Sequence, residues 1–216
     1  MISDALPLQA SVLTGMLLVA AVFADDPQGT VVTPGGSIDL LKAWPEIAKA
    51  PKSDLATIEC LIRPDATAID RPRSFVITLS NNGGNDVAGL GFMMKQGTVR
   101  ANVFGTYLES NEKLPPDKWS HVALTVNTKT INKQARLWIN GELAADELVL
   151  EPWPQSFEVA EMLSDKWNLG RVFSGQVGDV RISRIVCYQD SFEPPSTLAA
   201  DEQCAFRLDG SRIPLD

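Results

Sequence analysis

The sequence has little histidine, little cysteine and no excess of positive charge, and each shortage excludes a class of function. None of the three cysteines, Cys60, Cys187 and Cys204, belongs to a CxxC pair, which excludes a zinc knuckle. Lys and Arg number 19 against 27 Asp and Glu, the net charge is −8, and the basic residues form no run. A nucleic-acid binder needs a basic patch to displace counterions from phosphates, so that class is excluded as well.

Catalytic side chains are also scarce. The single histidine, His121, lies inside a predicted strand, which favours a structural or groove-facing role over that of a catalytic base. Glycoside hydrolysis needs two carboxylates on either side of one bond, and on a strand these share a face when they stand two positions apart. No two acidic residues of this chain have that spacing, and Glu158 and Glu161 have helical spacing instead. The sequence therefore predicts a protein that is not an enzyme.

Residues 1–24 differ from the rest of the chain and are predicted to be a separate segment. They are almost entirely apolar from Ala5 to Phe23, and the chain turns polar at Asp25. Cleavage after Ala24 would suit a signal peptide, although Asp4 is present and no Lys or Arg precedes the apolar run. A membrane anchor and a buried helix are the alternatives. A signal peptide predicts a secreted or cell-envelope protein, and membrane contact is expected only if the segment is retained.

Residues 25–216 show the alternation of apolar and polar residues that is typical of strands, with no internal repeat or linker. Strands are predicted at residues 29–41, 56–63, 74–80, 89–94, 98–107, 119–126, 135–142, 167–171, 178–186 and 203–208. Asn140-Gly141 is the most specific hairpin signal, because both central residues of a type I′ turn need positive φ. Short helices are expected near residues 44–49 and 157–163. The pattern predicts an all-β sandwich or barrel.

Four blocks of the sequence resemble a known family. They are Ile58-Glu-Cys-Leu-Ile-Arg-Pro64, Trp119-Ser-His-Val-Ala123, Leu137-Trp-Ile-Asn-Gly141 and Gly178-Asp-Val-Arg-Ile-Ser183. Their order is similar to that of laminin G-like jelly rolls of the concanavalin A-like lectin/glucanase superfamily, as found in planctomycete-like bacteria. The resemblance implies two stacked antiparallel sheets, one of them concave. It also implies a ligand among glycans, proteins and steroids, often with calcium, so the fold alone does not name the function.

A candidate binding surface follows from the alternation within three strands. The apolar residues of the strands at 98–107, 119–126 and 135–142 predict which face of each strand packs into the core. If the three strands are neighbours in the concave sheet, their other faces display one polar and aromatic surface that suits a sugar ring or a peptide. The residues of this surface are Arg100, Asn102, Phe104, His121, Thr125, Arg136 and Trp138. The alternative is that the segment at 147–167 covers the aromatic residues.

Two further features stay open. Asn82, Asn85 and Asp86 offer side-chain oxygens for calcium, but only one of them is charged, and a solvated loop is the alternative. Cys187 and Cys204, both predicted on strands, could form a disulfide in an exported protein, or all three cysteines could be buried thiols.

The sequence thus predicts an exported, non-enzymatic module that binds a glycan. Protein adhesion or a structural role in a cell-surface assembly is the alternative, and a hydrolase relative without its carboxylate pair is third.

Overall fold

The computed structural model describes residues 29–32, 38–39, 53–80, 89–103, 105–129, 133–148, 168–169 and 173–212. The strands are β1 Thr30–Val32, β2 Ile38–Asp39, β3 Leu55–Pro64, β4 Ser74–Ser80, β5 Gly89–Lys95, β6 Thr98–Val103, β7 Thr106–Lys113, β8 Ser120–Asn127, β9 Gln134–Ile139, β10 Glu142–Leu148, β11 Asn168–Leu169, β12 Gly175–Ser183 and β13 Cys204–Leu208. One short helix, α1, spans Ala66–Asp70, and a 3-10 turn spans Gly210–Arg212.

The strands form two antiparallel sheets. The large sheet has seven strands in the order β1-β12-β3-β8-β9-β10, with β13 also paired to β12. The small sheet has six strands in the order β2-β11-β4-β5-β6-β7. The predicted antiparallel two-sheet sandwich is therefore confirmed.

Alternating residues of both sheets build the core. In β3 the side chains of Ile58 and Cys60 are buried opposite Leu124 and Val122 of β8. Phe92 and other apolar side chains of β5 and β6 belong to the same buried cluster. Because side chains alternate along a strand, every second residue of these strands must lie on an outer face of the sandwich.

Two turns show where glycine is needed. Asn140 and Gly141 have φ of 50° and 82°, which confirms the predicted type I′ turn between β9 and β10. The single strand predicted at 98–107 is wrong, because the chain reverses after Val103. Gly105 has a φ of 92° and donates its N–H to Oδ1 of Asn102 at 3.0 Å, so the peptide turns there and starts β7.

Several predictions lie outside the described residues: the N-terminal segment, both short helices, the loop with Asn82, Asn85 and Asp86, Phe104, and residues 149–167. Conversely, α1 was not predicted. Its N-cap residue Asp65 accepts a hydrogen bond from the N–H of Ala68 at 2.8 Å. Within the described ranges, no helix has the length and apolarity required to span a membrane.

Candidate functional site

The predicted binding surface does not exist as one face. Arg100 and Asn102 lie on β6 in the small sheet, whereas His121 and Thr125 on β8 lie in the large sheet. The prediction that the three strands are neighbours is therefore wrong. Alternation tells which way a side chain faces but not which sheet its strand joins. The chain continues from the β5–β6–β7 meander into the other sheet, where β8 pairs with β3.

The outer face of the large sheet is covered. His121, Thr125 and Trp138 face away from the core, as the alternation predicts, but all three are buried, and Trp138 is only 1% exposed. The prediction that they are displayed is wrong. The indole N–H of Trp138 donates to Oγ1 of Thr125 at 3.1 Å, so even its polar atom is satisfied within the protein.

The cover is a segment at residues 185–199, here called the strap. The Phe192 ring lies 5.6 Å from His121 and 5.9 Å from Trp138, and it stacks on Tyr188 at 3.6 Å. The sequence predicts residues 147–167 as an alternative cover. In the described structure the strap covers Trp138, and only its first residues fall within a predicted element, the strand at 178–186.

Hydrogen bonds to the backbone of the strap attach it to two strands and to one turn. Thr57 Oγ1 donates to the carbonyl of Ile185 at 2.7 Å and accepts from the N–H of Cys187 at 2.9 Å. The N–H of Phe192 donates to the carbonyl of Gly141 at 3.0 Å, in the type I′ turn. Arg136 Nη1 donates to the carbonyl of Gln189 at 3.2 Å. The strap is thus an integral layer of this face.

A buried carboxylate, Glu59, lies at the centre of the covered face. Its Oε2 is 2.8 Å from His121 Nε2 and accepts from the Tyr188 hydroxyl at 2.7 Å. Its Oε1 accepts from Arg181 Nε at 2.7 Å. Burial by itself would raise the pKa of Glu59, but the hydrogen bond and charge of His121 and the charge of Arg181 outweigh it, so the pKa lies below its usual value.

The pKa values of Tyr188 and Arg181, two partners of Glu59, shift in the opposite direction. Burial and the negative charge of Glu59 raise the pKa of the Tyr188 hydroxyl. Burial would lower the pKa of Arg181, but attraction by Glu59 raises it. Arg181 Nη1 also donates to the carbonyl of Ala199 at 3.0 Å, at the far end of the strap. Glu59 therefore stays ionised and Tyr188 stays protonated, which is the state that locks the strap to the sheet.

A carboxylate–imidazole pair is a familiar acid–base unit, but here both side chains are fully buried. His121 Nδ1 is buried without a hydrogen-bond partner. A ligand cannot reach the pair unless the strap leaves. The geometry explains the pair by its structural role: Glu59 contacts His121 and at the same time holds the strap through Tyr188. Sequence reasoning missed Glu59, Arg181 and Tyr188, although alternation against the buried Ile58 and Cys60 would have placed Glu59 on this face.

The outer face of the small sheet carries a second polar cluster, here called the displayed face. It consists of Lys95, Arg100, Asn102, Tyr107 and Glu109, contributed by β5, β6 and β7. Lys95 Nζ is 3.3 Å from Glu109 Oε2, and Arg100 Nε is 3.8 Å from the same oxygen. The Arg100 guanidinium lies over the Tyr107 ring at 3.9 Å, a cation–π contact. Asn102 is largely buried, and the other four side chains are partly accessible.

Alternation correctly predicts that Arg100 and Asn102 face away from the core, whose β6 residues are Val99, Ala101 and Val103. It misses Tyr107 and Glu109, because a single strand over 98–107 would turn Tyr107 toward the core and end before Glu109. The apolar Leu108 between them is the sequence signal that could have placed both on an outer face. Binding by any of these residues stays a prediction.

Metal and thiol chemistry have little support in the described ranges. No group of three or more His, Cys, Asp or Glu side chains there could hold a metal ion. The three thiols are free. Burial raises the pKa of all three, so none is activated as a nucleophile. Cys204 lies on β13, but Cys187 lies in the strap and not on a strand as predicted.

Comparison with known proteins agrees with the fold. A laminin G family model described as "Concanavalin A-like lectin/glucanases superfamily" matches residues 41–190. A search of curated protein sequences finds no significant match.

Solved structures with a similar fold share little sequence with this chain. A Bacteroides ovatus protein named for carbohydrate binding has a TM-score of 0.56 at 17% identity, over 74% of this chain and 46% of its own. The chain thus spans about half of that protein. The CBM40 of the Ruminococcus gnavus IT-sialidase, bound to α2,3 sialyllactose, has a TM-score of 0.56 at 18% identity, over 75% of this chain and 92% of its own. The NanB sialidase of Streptococcus pneumoniae has a TM-score of 0.53 at 12% identity, over 76% of this chain and 27% of its own.

Proposed function

Because the chain belongs to the concanavalin A-like lectin/glucanases superfamily, we propose that it is an exported, non-enzymatic module that binds a glycan on the displayed face. The observation that carries this proposal is the contrast between the two outer faces. The strap covers the aromatic residues of the large sheet. The small sheet leaves Lys95, Arg100, Tyr107 and Glu109 partly accessible.

The chemistry of the displayed face suits a sugar. Sugars offer hydroxyl groups for hydrogen bonding and C–H faces for contact with aromatic rings. Lys95 and Arg100 supply donors, Glu109 supplies acceptors, and Tyr107 supplies an aromatic ring. The stack between Arg100 and Tyr107 holds the guanidinium in place before a ligand arrives, which lowers the entropy cost of binding. The names of the R. gnavus and B. ovatus structures are in line with a carbohydrate ligand.

The test is a glycan array with the wild-type chain, followed by affinity measurements on two matched arginine variants. Arg100 and Arg136 lie on opposite outer faces, each beside one acid, with side chains 25% and 27% exposed. Arg100→Ala is expected to weaken glycan binding about tenfold or more, the usual effect of losing a charged hydrogen bond. Arg136→Ala is expected to leave it unchanged. Absence of any glycan ligand, or equal losses in both variants, would contradict the proposal.

A protein ligand is the second candidate, because β10 exposes apolar side chains. Leu143 and Leu148 are 45% and 57% exposed, and β10 ends the large sheet as an edge strand. Binding to intact cells that survives Arg100→Ala but is lost in a Leu143→Ser, Leu148→Ser double variant would favour protein adhesion. The reverse result would favour the glycan.

A further inference from the structure

The charges of the displayed face indicate which glycans it takes, an inference that rests on the proposed function. Lys95 and Arg100 both contact the same carboxylate, Glu109, at 3.3 and 3.8 Å. Two cations against one anion leave this cluster with a net charge of +1. The whole chain has a net charge of −8. The displayed face is therefore locally cationic on an acidic protein, and such local charge selects ligands by sign.

Arg100 is held in this cluster by an ionic contact and a cation–π contact. Its Nε is buried and has no hydrogen-bond partner, because 3.8 Å from Glu109 is an ionic contact too long for a hydrogen bond. The Arg100 side chain as a whole is 25% exposed, so a ligand can contact its charge although Nε itself is enclosed.

The matched arginine of the other face differs in this respect. Arg136 Nε donates to Asp146 Oδ2 at 3.2 Å, and its Nη1 donates to the Gln189 carbonyl. Arg136 is hydrogen-bonded within the fold, whereas Arg100 is held over Tyr107 by a cation–π contact and makes an ionic contact with Glu109. A planar guanidinium fixed in this way matches an anionic group with two oxygens better than it matches a lone hydroxyl.

We infer that the ligand of the displayed face is an anionic glycan, whose acidic group binds at Arg100 with Lys95 beside it. A carboxylate and a sulfate share this chemistry. Glu109 then has two roles: it orders the two cations and it limits their attraction for the ligand.

The experiment uses the full chain and an array that contains neutral, carboxylated and sulfated glycans. The strongest ligands are expected to be anionic, with binding that weakens as salt rises because exposed charges are screened. The carboxylated and sulfated probes then show which acidic group is preferred. Strongest binding to neutral glycans would overturn this inference and leave the proposed function standing. Binding to no glycan at all would instead defeat the proposed function itself.

Glu109→Gln gives a second readout, because its sign depends on the ligand. With the strongest anionic ligand, removal of the competing carboxylate is expected to tighten binding about two- to fivefold, the range of a partly exposed charge pair. A neutral ligand would instead lose an acceptor and bind more weakly. Asp146→Asn is the matched control, since its side chain is 35% exposed against 36% for Glu109 and it pairs with Arg136 on the other face. Weaker or unchanged binding of the anionic ligand by Glu109→Gln would overturn the inference.

Discussion

Each outer face of the sandwich carries a cluster centred on one glutamate, and the two clusters differ in how tightly they are closed. Glu59 is fully buried and receives three partners at 2.7–2.8 Å, from Arg181, His121 and Tyr188. Glu109 is partly exposed and has Lys95, Thr98 and Arg100 at 3.2–3.8 Å. In the first cluster both oxygens of Glu59 are satisfied within the protein, by His121 and Arg181 of the sheet and by Tyr188 of the strap. The contacts of the second cluster are longer and partly accessible, so the closeness of polar contacts separates the covered face from the displayed face on which we propose ligand binding.

The largest expected effect is on the covered face. Glu59→Gln removes the charge that Arg181 and His121 contact inside the protein, and an uncompensated buried partner is costly. We expect the free energy of unfolding to fall by about 3–5 kcal/mol. Urea unfolding followed by circular dichroism measures it. A loss below about 1 kcal/mol would mean that the cluster does not hold this face together.

Removal of the ring that closes the strap should have the next largest effect. Phe192 contacts His121, Trp138 and Tyr188, and Phe192→Ala would open a space above all three rings. Because Phe192 is only partly buried, we expect a loss of about 2–3 kcal/mol in the free energy of unfolding. Limited proteolysis should then cut within the strap. Leu143→Ala, at an exposed apolar position, is the control and should change little.

Acid should weaken the covered face by protonating Glu59. Its pKa is lower in the fold than the ordinary 4.5, so its contribution is complete above about pH 4.5 and is lost as the pH falls through the lowered value. The groups that face it are His121, Arg181 and Tyr188, with Asp201 beside Arg181. Urea unfolding between pH 7 and pH 3 should show a steeper loss in wild type than in Glu59→Gln. Parallel curves would exclude Glu59 as the titrating group.

The smallest expected effect on stability belongs to the displayed face. Glu109→Gln removes a carboxylate whose ion pairs are partly exposed, and such pairs contribute little. We expect the free energy of unfolding to change by less than about 1 kcal/mol. Thermal unfolding of this variant beside Glu59→Gln measures the contrast directly. Equal destabilisation by the two variants would remove the distinction between the faces.

Most of the fold was predictable from the sequence because its signals are local. Alternation in 56–63 and 119–126 and the Asn140-Gly141 turn correspond to β3, β8 and the β9–β10 hairpin. The candidate site was only partly predictable, because it depends on contacts between distant segments. Nothing near Trp138 in the chain indicates that Phe192 covers it. Likewise, the alternation of β6 places Arg100 on an outer face without telling which sheet that face belongs to.

The strap also sets the order in which the protein can be completed during synthesis. The hydrogen bond from Tyr188 to Glu59 joins residues 129 positions apart, and that from Thr57 to Ile185 joins residues 128 apart. A ribosome adds about 5–20 residues per second, so Glu59 emerges roughly ten seconds before its tyrosine partner. Until the strap emerges, the charge of Glu59 lacks its cover, and so does the indole of Trp138 once that residue has been made. A nascent chain of this protein therefore exposes an indole and a carboxylate that the finished protein hides beneath the strap.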